Sequence, residues 1–149
     1  DILIRNKKVC GVLTETSISD DNINFVVLGI GVNANVDVNA FPKELTKSLT
    51  SLKKEAKHEI SRERFLQALL KEIEHYYNEF TKGRFTQILE EWKSLTDMIG
   101  KDVEVASFNE RLEGKAIDID QDGALIVKLK NGSVKKMFSA SASIRYGRL

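Results

Sequence analysis

The feature that most constrains the fold of this chain is a double change in the spacing of its apolar residues. Residues 8–15 and 24–32 are two dense apolar runs. Between Ser61 and Gly100 the apolar residues recur at steps of three and four, which is the spacing of an amphipathic helix. After Gly100, short alternating runs are separated by turn residues, as in small β domains. The sequence therefore predicts an α+β protein whose helices lie between two β regions.

The first β region is predicted to be an antiparallel hairpin. Its strands are "KKVCGVLTE" and "VVLGIGVNAN", and the polar segment "TSISDDN" supplies the turn. These strands contain Gly11, Gly29 and Gly31, although glycine packs nothing and costs chain entropy in a strand. Either a neighbouring element packs closely there, or a ligand approaches the backbone. The next segment, which holds Pro42, is expected to be a loop with a helical turn at 43–50.

The helical spacing predicts two helices. The first begins after Ser61, whose hydroxyl can accept a hydrogen bond from an unpaired amide, and ends before Gly83. The second is expected to begin at Phe85 and to end at Gly100. We expect the aromatic residues of both helices, including Trp92, to pack in a core.

The last third is expected to be a small β-barrel or meander, which puts a domain boundary near residue 100 and predicts domains 1–99 and 100–149. Its predicted strands are "DVEVAS", "LEGKAIDI", "GALIVKL" and "SVKKMFS". Asn131 and Gly132, in "KNGS", predict a type I′ turn, because both residue types tolerate positive φ angles.

Composition limits the partners and the cellular location. The chain has 23 basic and 22 acidic residues, a balance that gives no support for nucleic-acid binding. Its apolar runs are too short to span a bilayer, and its one cysteine, Cys10, excludes an internal disulfide. His58 and His75 lack the neighbouring ligands of a metal site. We expect a cytoplasmic protein without a membrane, nucleic-acid or structural-metal partner.

The order of the motifs resembles that of the biotin protein ligases, which activate biotin with ATP and attach it to a carrier lysine. Asp1 stands where the family motif "WPND" ends, and "KKVCGVLTE" matches the family strand "KK(I/L)xGIL(x)E". The "VVLGIGVN" strand, "SL" at 51–52, two amphipathic helices and a terminal β module follow. The resemblance covers essentially the whole chain. It implies part of a class II synthetase-like mixed sheet with helices, followed by a small SH3-like β-barrel.

The resemblance also implies roles for five residues. Lys8 would be catalytic and would reach the biotin carboxylate and the α-phosphate of ATP, because two anions approach each other only beside a fixed positive charge. Gly11 would let the biotin ring lie against the sheet. Gly29, Gly31 and Asn33 match the family's "GxGxN" strand end, where the asparagine helps to hold the nucleotide or its metal-bound phosphates. From the residue alone, Asn33 is equally explained as a strand-end cap.

A sixth residue, Arg145, stands where the family's "GDVSLR" ends and would lie near the nucleotide. In this sequence Ala140 and Ser141 replace the usual glycine and acid. The implied substrates and cofactors are biotin, ATP and Mg²⁺, with biotinyl-5′-adenylate as the intermediate. The implied partner is a biotin carboxyl carrier protein.

The glycine- and arginine-rich loop of the family, of the type GRGRxGR, does not occur in these 149 residues. We therefore expect little or no adenylation by this chain alone, and a homodimer or an association with the missing N-terminal half. Two alternatives remain open from the sequence. One is a non-catalytic protein-interaction module in which the glycines serve only packing, and the other is a fragment of a related lipoate-type ligase.

Overall fold

The structure is a computed structural model that describes residues 1–20, 22–106, 111–137 and 143–146. The chain divides into two compact units, Asp1–Lys71 and Glu72–Leu149. The domain boundary expected near residue 100 stays a prediction. Among the described residues, none of the helices is both long enough and apolar enough to cross a membrane.

The first unit contains a three-stranded antiparallel sheet in the order β1-β2-β3. Its strands are β1 (Ile2–Ile4), β2 (Lys7–Ser19) and β3 (Asn22–Val32). The predicted hairpin is present, but "TSIS" belongs to β2 and not to the turn. The paired strands reach Ser19 and Asn22, and the Ser19 hydroxyl lies 3.2 Å from the Asn24 side-chain oxygen. β-Branched and cross-strand hydrogen-bonding residues favour such an extension.

The segment after β3 contains more helix than predicted. A 3₁₀ helix (Val38–Ala40) precedes α1 (Lys43–Thr46), which falls within the predicted helical turn. Helix α2 (Leu52–Ala56) was not predicted. The Ser51 hydroxyl caps it by accepting a hydrogen bond from the Lys54 amide at 3.3 Å. The backbone amides of Leu52 and Lys53 are also bound by carbonyls that follow β3, so tertiary contacts fix this short helix.

Two longer helices follow, α3 (Arg62–Thr81) and α4 (Phe85–Leu95). The predicted cap is confirmed, because the Ser61 hydroxyl accepts a hydrogen bond from the Arg64 amide at 3.3 Å. The predicted end of the second helix at Gly100 is wrong. Thr96 is extended, with φ −82° and ψ 139°, and its hydroxyl accepts a hydrogen bond from the Met98 amide at 3.3 Å.

The expectation that the helix aromatics pack in a core holds for Phe85, which packs against the core of the second unit, and is wrong for three other aromatics. Tyr77 is 66% exposed, Phe80 is 56% exposed and Trp92 is 41% exposed. Within α3 and α4, Leu89 is the buried residue. The spacing of apolar residues shows which face of a helix is apolar, but not which element covers that face.

The second unit holds a five-stranded antiparallel sheet in the order β7-β6-β5-β4-β8. Its strands are β4 (Asp102–Ala106), β5 (Arg111–Ile119), β6 (Leu125–Leu129), β7 (Val134–Met137) and β8 (Ser143–Tyr146). The predicted β region is therefore confirmed. Its hydrophobic core also includes residues from outside the sheet, and comprises Leu89, Met98, Val103, Val105, Ala116, Ile119, Leu125 and Val127.

The turn between β6 and β7 differs from the predicted type I′ turn. Gly132 has a φ of +86°, whereas the φ of Asn131 is not positive. The Gly132 amide donates to the Leu129 carbonyl at 2.9 Å, and the Asn131 side-chain oxygen accepts from the Ser133 amide at 3.0 Å. The loop therefore has three residues and a left-handed glycine, which is the next most common hairpin connection.

Candidate functional site

The pairing of β2 with β3 brings three glycines together on one face of the sheet, beside Leu13. Gly11 is paired with Gly31, and Leu13 is paired with Gly29. Because side chains alternate along strands, the three glycines share one face of the sheet. We call Gly11, Gly29 and Gly31 the glycine patch.

The packing of the described chain does not require glycine at two positions of this patch. A Cβ atom at Gly31 would have the Gly11 carbonyl oxygen as its nearest neighbour, at 3.9 Å. At Gly29 the nearest atom would be the Leu13 carbonyl oxygen at 3.7 Å. Both are ordinary van der Waals distances. The space over these two residues is therefore open to a ligand.

Gly114 in the second unit shows what a packing glycine looks like. A Cβ atom there would lie 2.5 Å from the Lys128 carbonyl oxygen and 2.6 Å from Val127 Cγ1. Such distances require the backbone of the neighbouring strand to move. The comparison separates a glycine that close packing demands from Gly29 and Gly31 of the patch.

Lys8 lies beside the glycine patch. Its ammonium is 2.7 Å from the Asp1 carboxylate, and a Cβ atom at Gly11 would lie 3.2 Å from Lys8 Nζ. The Lys8 side chain is 41% exposed, and that of Asp1 is 56% exposed. An ion pair in contact with solvent stabilises little, so the ammonium can exchange Asp1 for an anionic ligand.

Asn33 directly follows the last residue of β3. Its amide donates to the Val9 carbonyl at 2.8 Å, and its side-chain nitrogen donates to the Thr50 carbonyl at 3.2 Å. The side chain therefore holds the strand end, as one of the two explanations from the sequence requires. Within the described residues its side-chain oxygen accepts no hydrogen bond, which leaves that oxygen available to a ligand or a metal ion.

Thr50 was not singled out in the sequence. It is completely buried, and its amide donates to the Lys8 carbonyl at 2.9 Å. Lys8 and Asn33 are thus both hydrogen-bonded to Thr50, which lies in the segment after β3. The nearest sequence signal was "SL" at 51–52, which marks this segment but not the bonds that Thr50 makes.

Arg145 lies in β8, in the second unit, where its backbone is paired with Glu104 of β4. Its side chain is outside the described residues, as are Ala140 and Ser141. The proposed contact of Arg145 with the nucleotide stays a prediction. In the described part of the chain, no group of three His, Cys, Asp or Glu residues could hold a metal ion.

Several biotin protein ligases are similar to this chain. The family model of the biotin protein ligase C terminal domain matches residues 98–145. The bifunctional ligase/repressor BirA of Bacillus subtilis (strain 168) is 36% identical over 144 residues, which are 97% of this chain and 44% of that protein. The biotin--[acetyl-CoA-carboxylase] ligase of Paracoccus denitrificans is 26% identical over 149 residues, which are 99% of this chain and 60% of that protein.

Solved structures of the biotin protein ligase from Aquifex aeolicus have the same fold. The apo structure has a TM-score of 0.81 and 25% identity, over 97% of this chain and 61% of that one. The complex with biotin and ATP has a TM-score of 0.79 and 25% identity, over 97% of this chain and 58% of that one. The chain spans less than two thirds of the length of each of these relatives.

The chain is thus similar to biotin protein ligases, and it has an α+β fold with an SH3-like C-terminal domain. The predicted resemblance to the biotin protein ligases is confirmed by these comparisons.

Proposed function

We propose that this chain supplies the part of a biotin protein ligase site where the biotin carboxylate meets the α-phosphate of ATP. The whole reaction would attach biotin to a lysine of a biotin carboxyl carrier protein through biotinyl-5′-adenylate, in the cytoplasm. The observation that carries the proposal is the position of the Lys8 ammonium beside the glycine patch, where Gly11, Gly29 and Gly31 leave the backbone uncovered by their own side chains. The similarity to ligases, one of them solved with biotin and ATP, supports it.

The glycine patch suits a flat, largely apolar ring. Without Cβ atoms, a ring can lie directly on the backbone and remove apolar surface from water. Such a site needs few polar groups, provided that these fix the orientation of the ligand. Lys8 would provide the fixed charge at one end of the patch.

The role of Lys8 follows from the charges of the reactants. In the first step a biotin carboxylate oxygen forms a bond to the α-phosphorus, and the bond from that phosphorus to the bridging oxygen breaks as pyrophosphate leaves. Lys8 would offset the repulsion between the two anions and stabilise the charge that develops on the phosphate. In the second step the amine of the carrier lysine attacks the acyl carbon and loses a proton, and AMP leaves. The same ammonium would stabilise the departing phosphate.

Asn33 is proposed to contact the nucleotide. Mg²⁺ usually binds through one or two protein oxygens together with substrate phosphates, so a cluster of carboxylates is not required. The available side-chain oxygen of Asn33 would hold an ion that arrives with ATP, and the ion would supply charge neutralisation at the phosphates. Arg145 is proposed as a further nucleotide contact, on the resemblance of its motif alone.

The test is isothermal titration of a stable biotinyl-5′-adenylate analogue into this chain and into the Lys8→Ala variant. We expect binding to weaken by about tenfold or more in the variant, a loss of about 1.4 kcal/mol. Lys71→Ala is the matched control, because Lys71 is an exposed lysine of α3 and not of the sheet that carries the patch. Equal binding by the wild type and Lys8→Ala, or no binding to either, would contradict the proposal.

A lipoyl-5′-adenylate analogue, titrated under the same conditions, tests the related lipoate-type activity. A lipoate-type ligase would bind this analogue at least as tightly as the biotinyl compound. We expect much weaker binding, because the patch would fit the fused rings of biotin more closely than the single dithiolane ring of lipoate.

A second candidate function, protein interaction, is favoured by the exposed apolar residues of β2 and β3. Leu13 is 64% exposed, Ile23 is 66% exposed and Phe25 is 59% exposed. Apolar strands with open edges favour pairing with another chain. We propose that the partner is a second copy of this chain or the remaining half of a ligase. Light scattering after size-exclusion chromatography would test the homodimer, and a clean monomer at high concentration would exclude it.

A further inference from the structure

We propose that Thr50 is a positioning residue that fixes Lys8 relative to Asn33. The inference rests on the proposed function, because it concerns how the two residues of that site are held. Thr50 is proposed to act through Lys8 and Asn33, and not through a contact of its own with the ligand.

Thr50 is hydrogen-bonded to both site residues. Its amide donates to the Lys8 carbonyl at 2.9 Å, and its own carbonyl accepts from the Asn33 side-chain nitrogen at 3.2 Å. The Lys8 amide also donates to the Ser48 carbonyl at 2.8 Å, so the segment lies along β2 at Lys8. One short segment therefore joins a residue of β2 to the residue that follows β3.

This connection begins where the pairing of β2 with β3 ends. The last pair in the register is Cys10 with Val32, and beyond it the Asn33 amide still donates to the Val9 carbonyl, one residue from Lys8. Within the described residues, no hydrogen bond joins Asn33 to Lys8 directly. The Thr50 hydrogen bonds supply that link, because they bind Lys8 and Asn33 to the two planar peptide units that meet at the Thr50 Cα atom.

The side chain of Thr50 ties its backbone to helix α2. Its hydroxyl donates to the Glu55 carboxylate of α2 at 2.6 Å, and the other Glu55 oxygen is 3.2 Å from the Arg5 guanidinium. Thr50 is 0% exposed, and the Glu55 side chain is 16% exposed. A hydrogen bond from a buried hydroxyl to a carboxylate is among the stronger ones in proteins. Loss of the hydroxyl would leave Glu55 partly buried with a weaker set of donors.

Arg5 connects the same network to the turn between β1 and β2. Arg5 and Asn6 have φ angles of 50° and 61°, so both are left-handed. This conformation is unfavourable for arginine, and it places the guanidinium at Glu55. The turn before Lys8, helix α2 and the Thr50 peptide are thus joined through one carboxylate.

The decisive variants are Thr50→Val, which keeps the shape but removes the hydroxyl, and Thr50→Ser, which keeps the hydroxyl. Thr14→Val is a matched control on an exposed threonine of β2, whose hydroxyl makes no hydrogen bond within the described residues. The measurements are amide hydrogen exchange at Lys8 and Leu52, the NMR signals of the Asn33 side-chain amide, and titration of the biotinyl-5′-adenylate analogue.

In Thr50→Val we expect faster exchange at Lys8 and Leu52, shifted Asn33 side-chain signals and about tenfold weaker binding of the analogue. Thr50→Ser and Thr14→Val should stay close to the wild type. In an Asn33→Ala background, Thr50→Val should weaken binding by less than about threefold, because residues that act through one another are not additive. Should Thr50→Val fail to fold, Glu55→Gln alters the same hydrogen bond at a less buried position.

A lower unfolding midpoint in Thr50→Val with unchanged exchange at Lys8, unchanged Asn33 signals and unchanged binding would overturn the inference. Thr50 would then have only a structural role. Failure of the proposed function gives a different result, because the wild-type chain would not bind the analogue. The exchange and NMR measurements would still decide whether Thr50 couples Lys8 to Asn33.

Discussion

The Lys8 ammonium fills part of the space that a side chain at Gly11 would occupy, since a Cβ atom there would lie 3.2 Å from Nζ and 3.3 Å from Cε of Lys8. Gly11 and Lys8 therefore depend on each other. The glycine leaves room for the lysine side chain, and the lysine places its charge at the edge of the glycine patch.

Gly11→Ala should weaken ligand binding without unfolding the protein. The new methyl group would meet the flexible end of Lys8, which can move away. Alanine also restricts the unfolded chain, so we expect the free energy of unfolding to change by less than about 1 kcal/mol. The displaced ammonium should reduce analogue affinity by about tenfold. Urea unfolding and calorimetric titration check the two parts, and unchanged affinity would show that Gly11 does not shape the site.

Gly114→Ala should destabilise the second unit. Its Cβ atom would lie 2.5 Å from a backbone oxygen of β6, so the paired strands must separate locally. Overpacking of this kind typically costs about 1–3 kcal/mol. Gly31→Ala is the matched control, since the nearest atom to its Cβ is 3.9 Å away, and we expect it to change stability by about 0.5 kcal/mol or less. Equal effects in urea unfolding would refute this distinction.

Ser61→Ala should destabilise α3 at its first turn. The Ser61 hydroxyl accepts the hydrogen bond of the Arg64 amide, and loss of such a cap costs about 1 kcal/mol. Ser61→Asp should retain most of the stability, because aspartate caps equally well and favours a helix N-terminus. Urea unfolding followed by circular dichroism compares the variants. An alanine variant as stable as the aspartate variant would show that the cap contributes nothing.

The second unit should lose stability in acid. Lys136 lies 2.5 Å from Asp120 and 2.6 Å from Asp122, and its hydrogen bond holds the pKa of Asp120 below the usual value. Lys93, 2.9 Å from Asp118, lowers the pKa of that carboxyl in the same way. A lowered pKa adds stability above the unfolded-state value of about 3.9, and that stability is lost as the pH falls through the folded-state value.

The unfolding midpoint should therefore fall as the pH decreases from about 5 towards 2, and Lys136→Met should make this decrease shallower. Lys128→Met is the control, because Lys128 is an exposed lysine of β6 that forms no ion pair with the described residues. Thermal unfolding across the pH range is the measurement. Parallel curves for the wild type and Lys136→Met would mean that the carboxylates near Lys136 do not contribute.

The sequence predicted those elements whose signals are local. The β2–β3 hairpin, the capped start of α3 and the strands of the second unit follow from alternation, helical spacing and one serine. Helix α2 was missed because five residues give too little periodicity, and backbone hydrogen bonds to Asn33 and Ala34 support it. The end of α4 was misplaced because Ile99 continues the helical spacing, while the structure packs Ile99 against the core of the second unit.

By itself the sequence determined that Gly11, Gly29 and Gly31 lie in two neighbouring apolar strands, because the strand period and the lack of a Cβ atom are properties of the chain. The site roles of these glycines, of Lys8 and of Asn33 were implied by the resemblance to the biotin protein ligases, and they stay predictions. Only the tertiary structure decided that Lys8 lies over Gly11, that the space over Gly29 and Gly31 is open, and that Thr50 joins Lys8 to Asn33. Asn33 and Thr50 are 17 positions apart, and no local pattern encodes a hydrogen bond across that distance. Such a bond forms only when folding brings separate segments together and buries their polar groups.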